Sequence, residues 1–346
     1  MASIPLDDTV SERTTWASSV RVWVASMRAW IFFFALVIGF EVWARMEYHT
    51  TFLLNPFNAS SIAVFAVGPL LLALGQTFVV ISGGIDLSVG FTMGFAAVVF
   101  SKILNATTGA VWDPLAFLLA AAVALLASAI PGLINGLLIA KLRIPPFIGT
   151  LGMYGVARGT AYLLAGGTTV PISNPLVSFI GNGSLFSVPI TVLVTVVITG
   201  AMMFLLSQSR FGQHVYAIGG SRQASLRAGI NVARNTVALY VLSALTAGIG
   251  GILYTARFTA GAAQAGEPLL LDSIAAVVIG GASLFGGSGT ITGTVIGALI
   301  IAIIQYGLVF VNVEPFWQFV AVGIVIIISV LVDQTQKQLS GGRSDE

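Results

Sequence analysis

Apolar runs of about 20 residues recur along almost the whole chain, and nothing else in the sequence constrains its fold as strongly. A hydrocarbon core roughly 30 Å thick takes about 20 helical residues to cross. Runs of that length fall near 28–48, 60–82, 87–104, 114–140 and 146–165, then near 187–207, 234–256, 270–286, 291–311 and 316–333. Within hydrocarbon every backbone N–H and C=O must find its partner inside the chain, so each run becomes a helix. The pattern predicts an all-α polytopic membrane protein with about ten transmembrane helices, eight or nine being the alternative count. The 8% of charged residues, against roughly 25% in a soluble domain, leaves no room for a soluble domain between the spans.

Cytoplasmic loops collect lysine and arginine, and this orients the chain. With the N-terminus inside, Arg13, Arg21, Arg28, Lys141, Arg143, Arg210, Arg222, Arg227, Arg234, Lys337 and Arg343 fall on the inner side. Arg45, Lys102 and Arg257 fall outside and Arg158 lies within a span, which accounts for all 15. Residues 1–27 and 334–346 then form cytoplasmic segments flanking a transmembrane domain of 28–333, and both termini face the cytoplasm. The first apolar run has basic residues before it but no small-residue cleavage site after it, so it reads as a retained helix. The net charge of +2 reflects the inner loops, not a nucleic-acid surface. With no cysteine, disulfides and thiolate metal sites are excluded. His49 and His214 fall outside the hydrocarbon and suggest neither a proton relay nor a metal site. Trp30, Trp43, Trp112 and Trp317 read as interfacial anchors, and Phe32, Phe33 and Phe34 as lipid-facing.

Residues 75–94, GQTFVVISGGIDLSVGFTMG, run an apolar span into a glycine corner and a lone aspartate. A carboxylate there is costly unless it is paired, faces water or caps a helix. Asp86 stands just before Leu87-Ser88-Val89-Gly90, the place of a cap for the third span. Asp272, before Ser273-Ile274-Ala275, opens the eighth span in the same manner. Gly132-Leu-Ile-Asn-Gly136 in the fourth span and Gly293-Thr-Val-Ile-Gly297 in the ninth are similar and run in opposite directions. Spans two to five and seven to ten therefore suggest an inverted repeat, a transporter signature, although short matches of abundant residues also arise by chance. Small-xxx-small pairs at Gly90/Gly94, Gly132/Gly136, Gly155/Gly159, Gly289/Gly293 and Gly293/Gly297 suit close helix packing.

The polar inner stretch near 208–235 is too hydrophilic to span. Ser221 followed by Arg222-Gln223-Ala224-Ser225-Leu226-Arg227-Ala228-Gly229 reads as a serine-capped short helix ended by glycine. It is either an ordinary basic loop or a docking knob for a partner. Polar groups within spans are few: Gln76, Asn135, Thr150, Tyr154 and Gln305 are candidates to line a path, against the alternative that they bond neighbouring helices. Arg158 asks for a carboxylate, a carbonyl or a water-filled mouth, and Glu41 is a possible partner. The chain has no G-x-x-x-x-G-K-[ST] phosphate loop, so nothing here holds ATP phosphates.

Five segments in order carry a family resemblance: FLLNPFN, LALGQTFVVISGGIDLSVG, IPPFIGTLGMYGVARGTAYLLAGG, FGQHVYAIGGSRQASLRAGIN and LDSIAAVVIGGASLFGGSGTITGTVIGALI. From about Phe52 onward the chain resembles the membrane permease of bacterial ABC importers for monosaccharides of the ribose, xylose, arabinose and galactose group. The resemblance implies an inner-membrane permease, not an enzyme, that works as a homodimer with the sugar path between its copies. A periplasmic sugar-binding protein would dock outside and an ATPase inside, with ATP and magnesium held by the ATPase and no cofactor on this chain. It makes Gly220, Ser221, Arg222, Gln223, Arg227 and Gly229 the ATPase-coupling element, with Gln223 standing where the family often has an acidic residue. Monosaccharides or related polyols are the implied cargo. An ion-coupled secondary transporter is the rival reading, since it too suits an inverted repeat, and a non-transporting scaffold the third.

Overall fold

Two helices of this bundle begin in its middle, and glycine is the reason. The computed structural model describes residues 29–314 and 316–341. The expected inner segment 1–27, with Arg13 and Arg21, lies outside the described residues, as do Arg28 and Arg343. The chain folds into α1 (Ala29–Glu47), α2 (Pro56–Ile81), α3 (Val89–Thr107), α4 (Asp113–Ala140), α5 (Pro146–Ala165), α6 (Pro175–Asn182) and α7 (Ile190–Gln208). There follow α8 (Arg210–Gly220), α9 (Arg222–Arg227), α10 (Val232–Phe258), α11 (Glu267–Ile279), α12 (Ile291–Phe310) and α13 (Trp317–Gly341). Two small ribbons pair β1 (Val170–Pro171) with β4 (Ala260–Gly261), and β2 (Ser184–Leu185) with β3 (Val188–Pro189), both antiparallel.

A helix stands at each of the ten expected positions. Among the described residues, seven are long and apolar enough to cross a membrane: α1, α2, α3, α4, α7, α10 and α12. α5 has the length, but Arg158 and repeated glycines dilute its apolar character. α11 has only 13 residues and differs from the expected span at 270–286: it starts earlier, at Glu267 and Pro268, and gives way to an irregular glycine-rich loop after Ile279. Proline is at home in a first helical turn, where its missing N–H is no loss. α13 runs on past the expected boundary at 333 to Gly341. The polar stretch holds two helices where one was expected, because Ser209 caps α8 by accepting the Gly212 N–H at 3.1 Å.

Helix packing inside hydrocarbon gains little from burying apolar surface, so close backbone approach does the holding. α2 is buried from Ala66 to Ile81 except at Gly68 and forms the centre of the bundle with α10. Gly136 of α4 lies against α10 so tightly that a Cβ there would stand 2.6 Å from the Val237 Cα. Gly293 and Gly297 of α12 press in the same way on Gly280 and Ala276. Gly155 and Gly159, expected as a packing pair, face open space: a Cβ at either would meet nothing within 4 Å among the described residues.

The interruptions come before α3 and α11. After α2 the chain turns back through residues 82–88, and after α10 it runs through 259–266 along the flank of α3. On that flank Gly261 lies against Ala97 and Ser101, Ala263 against Gly94, and Gly266 against Gly90. The distance from Ser101 to Gly90 along α3 is about 16 Å at 1.5 Å per residue, half the thickness of a bilayer core. Gly90 and Gly266 abut reciprocally, each where a side chain of the other would have to stand. The first turns of α3 and α11 thus meet inside the bundle, about 16 Å along α3 from Ser101.

Candidate functional site

Irregular backbone at membrane depth is tolerated only where protein or water satisfies its polar groups. The corner before α3 meets that requirement with its own side chains and others from three helices, α2, α4 and α10. Gly83 and Gly84 donate their N–H groups to Val80 O and Val79 O, each at 2.9 Å, closing the turn. Asp86 is 1% exposed. Its Oδ1 accepts the Ser88 N–H at 3.0 Å and the Ser88 hydroxyl at 2.7 Å, and its Oδ2 accepts the Ser243 hydroxyl at 2.9 Å. Gln76 Nε2 donates to the Asp86 carbonyl at 2.7 Å, the Tyr240 hydroxyl to the Ile85 carbonyl at 3.3 Å, and Asn135 Nδ2 to Ser88 Oγ at 2.9 Å. Among the described residues the unpartnered buried atoms include Gln76 Oε1, Asn135 Oδ1 and Thr92 Oγ1, all on this corner or the helix it opens.

These contacts correct the expected caps. Asp86 anchors the turn through Ser88, which is itself the residue before the first turn of α3, and does not reach the helix N–H groups beyond it. Asp272 does not open its helix, since α11 starts at Glu267; its Oδ2 accepts Gln305 Nε2 at 2.7 Å and so ties α11 to α12. The five expected path residues are scattered by the fold. Gln76 and Asn135 hold the corner, Gln305 holds Asp272, and the Thr150 hydroxyl turns back to Pro146 O at 2.8 Å on its own helix.

Tyr154 lies elsewhere, at the meeting of α3 and α11. Its hydroxyl points to Glu267 Oε1 at 3.4 Å, and its ring stands edge-on to Phe91 with centroids 4.7 Å apart. The Arg158 guanidinium sits over the same Phe91 ring, 5.3 Å from its centroid. The Arg158 neighbourhood thus contains Glu267, not Glu41, which pairs with Arg45 at 2.8 Å and accepts the N–H groups of Phe52 and Leu53. Glu267 escaped sequence reasoning although its signal was present: glycine followed by Glu-Pro is a helix start. It also lines a crevice of about 560 Å³ between α2, α7, α10 and α11.

At the end of the bundle that carries α8 and α9, the polar knob rests on the loop between α11 and α12. Gly220, Ser221, Arg222, Gln223, Arg227 and Gly229 are all exposed. Ser221 Oγ accepts the Ala224 N–H at 3.2 Å, and Gly229 ends the helix at φ +79°. Behind this face, the Tyr216 hydroxyl donates to the Gly289 carbonyl at 2.7 Å, and burial pushes that hydroxyl's pKa up. Gly219 packs on the Ile81 carbonyl, which also accepts the Gly287 N–H at 2.8 Å. The knob is thereby one step from the end of α2 and the corner. No spacing in the sequence announced Tyr216, because its partner is a backbone carbonyl 73 residues away.

A family model described as branched-chain amino acid transport system / permease component matches residues 58–330. The ribose import permease of Escherichia coli K12 is 35% identical over 271 residues, 77% of this chain and 82% of that one. The ribose import permease of Bacillus subtilis 168 is 39% identical over 266 residues, 76% of this chain and 80% of its own length. The galactose/methyl galactoside import permease of Haemophilus influenzae is 35% identical over 297 residues, covering 81% and 87% of the two chains. No solved structure matches the chain.

Proposed function

The chain belongs to the branched-chain amino acid transport system / permease component family, and on that footing we propose that it is the membrane subunit of an ABC importer for a monosaccharide or related polyol. The cargo is argued from relatives that import ribose and galactose. A separate ATPase energises it from the cytoplasm, and a periplasmic sugar-binding protein delivers the cargo. The chain sits in a bacterial inner membrane with ten membrane-embedded helices and both termini inside, α11 serving as a half-helix. The repeat relates α2–α5 to α10–α13. It is supported by the two interrupted helices, each entered from an extended segment and meeting at Gly90 and Gly266.

The observation that carries the mechanism is the exposed knob and what lies behind it. An ATPase gripping Arg222 and Arg227 would move α8, and Tyr216 and Gly219 would pass that motion to the loop at Gly289 and to the end of α2. The corner beyond is held by hydrogen bonds between neutral groups and one carboxylate, a joint that can be re-formed in a second packing. Access then alternates as ATP binding and hydrolysis bias the two packings.

The homodimer rests on α5. Arg158 is exposed halfway along this helix beside the bare Gly155 and Gly159. A guanidinium facing lipid there is costly, so this face belongs against a second copy or a water-filled path between copies. Tyr154 is the expected path residue that shares the site. The test is to solubilise the tagged chain gently from its native membrane and identify its companions by mass spectrometry. Recovery of an ATPase with a phosphate loop and a sugar-binding protein supports the reading. A chain that stays alone even under crosslinking favours the ion-coupled alternative.

A further inference from the structure

We propose that the crevice between α2, α7, α10 and α11 is a receiving subsite for the sugar on the outer side of the permease, with Glu267 at its floor. The inference rests on the importer reading and orientation proposed above. The crevice is lined from the end of the bundle by Thr191, Arg257 and Phe258, and farther in by Gly68, Met93 and Glu267. Because Gly266 abuts Gly90, this floor is at the junction where α3 and α11 begin. Its volume of about 560 Å³ falls within the usual range for small-molecule sites.

The lining has the chemistry of weak carbohydrate contact. The walls are apolar, from Val64, Phe65, Leu253 and Leu269, and the polar groups are few and of both kinds. Glu267 offers a half-buried carboxylate whose hydrogen bond from Tyr154 is long at 3.4 Å. The Thr191 hydroxyl, on a residue only 2% exposed, has no partner among the described residues. Nature rarely leaves such a group unpaired, and a ligand hydroxyl or water entering the crevice would satisfy it. Tyr254 and Phe258, with ring centroids 4.6 Å apart, give an aromatic surface for the C–H face of a sugar. Many strong bonds would trap a cargo that must move on; a lining whose polar side chains are Thr191, Tyr254, Arg257, Gln264 and Glu267 offers only a few.

The natural absence of cysteine makes the test direct. Thr191→Cys would be placed in the full importer, reconstituted in proteoliposomes with its ATPase and binding protein, and treated from outside with a small membrane-impermeant methanethiosulfonate. Val197→Cys, on the lipid-facing side of the same helix and 69% exposed, is the control. The Thr191 thiol reacts and the Val197 thiol does not. Modification lowers sugar uptake at least tenfold while binding-protein-stimulated ATP hydrolysis continues, and saturating sugar-loaded binding protein with ATP slows the labelling. Full labelling with unchanged uptake overturns the subsite, as does a thiol that never reacts because lipid fills the crevice. If Thr191→Cys fails to assemble, Gln264→Cys, on an exposed residue of the lining, takes the same measurement. Loss of ATP-driven uptake in the unsubstituted importer would instead strike at the importer reading, so the two failures are told apart.

Discussion

Replacing Asp86 by alanine and by asparagine separates hydrogen bonding from charge at the corner. The carboxylate accepts three hydrogen bonds, from the Ser88 N–H, the Ser88 hydroxyl and the Ser243 hydroxyl, and is 1% exposed. Alanine leaves all three donors without their acceptor. The two hydroxyls can rotate to carbonyls of their own helices, but the Ser88 N–H is fixed by the backbone. A buried donor left unpaired costs about 1–3 kcal/mol, and each rerouted hydroxyl loses roughly 1 kcal/mol more, so Asp86→Ala costs about 3–5 kcal/mol. Asparagine keeps an oxygen for the two Ser88 donors and presents its NH₂ to Ser243 Oγ, which accepts once its own hydrogen turns away. Asp86→Asn therefore costs about 1 kcal/mol or less. The assay is the temperature at which half of the purified protein, in one fixed detergent, leaves the monodisperse peak. Alanine lowers it by several degrees and asparagine barely moves it. Equal losses for both would refute the argument, because charge and not acceptance would then hold the corner.

Arg222→Ala with Arg227→Ala leaves the chain inserted but removes its ATPase from the purified complex and abolishes sugar-stimulated ATP hydrolysis; normal stimulation would remove the docking role of the knob. Gly266→Ala sets a methyl group against the Gly90 carbonyl and Met93, so overpacking of about 1–3 kcal/mol lowers the same thermal midpoint. Gly155→Ala has open space within the chain and leaves the fold of the single subunit intact; its effect, read by crosslinking of copies, falls on assembly. Asn135→Ala removes one corner hydrogen bond and changes the rate of uptake more than the choice of sugar, and a clean switch of preferred sugar in competition assays would contradict its place in the corner.

Much of the fold was written in patterns of one-dimensional range. Apolar length placed a helix at all ten positions, and Ser221 and Gly229 marked α9 because capping is chemistry between neighbours in the chain. What sequence missed depends on residues far apart. Asp272 looked like a helix start because it ends an apolar run, yet the helix began at Glu267, where proline sets the first turn. Gln305 looked like a path residue because polar groups are rare in spans, but its amide is taken by Asp272, 33 positions away. Ser243 and Tyr240 gave no signal at all, since their partners at Asp86 and Ile85 lie 157 and 155 residues from them. The glycines were read as packing devices, and most are, but only the structure distinguishes Gly136, pressed on α10, from Gly159, which faces open space.

The most direct test of the central claim is sugar uptake into proteoliposomes holding the permease with its ATPase and binding protein, measured with internal conditions reversed so that ATP faces the ATPase, with and without a protonophore. The expected uptake requires ATP and binding protein and continues unchanged when the proton gradient is dissipated. Uptake that collapses at once with the gradient, while ATP is held constant, would contradict it and make the chain an ion-coupled carrier.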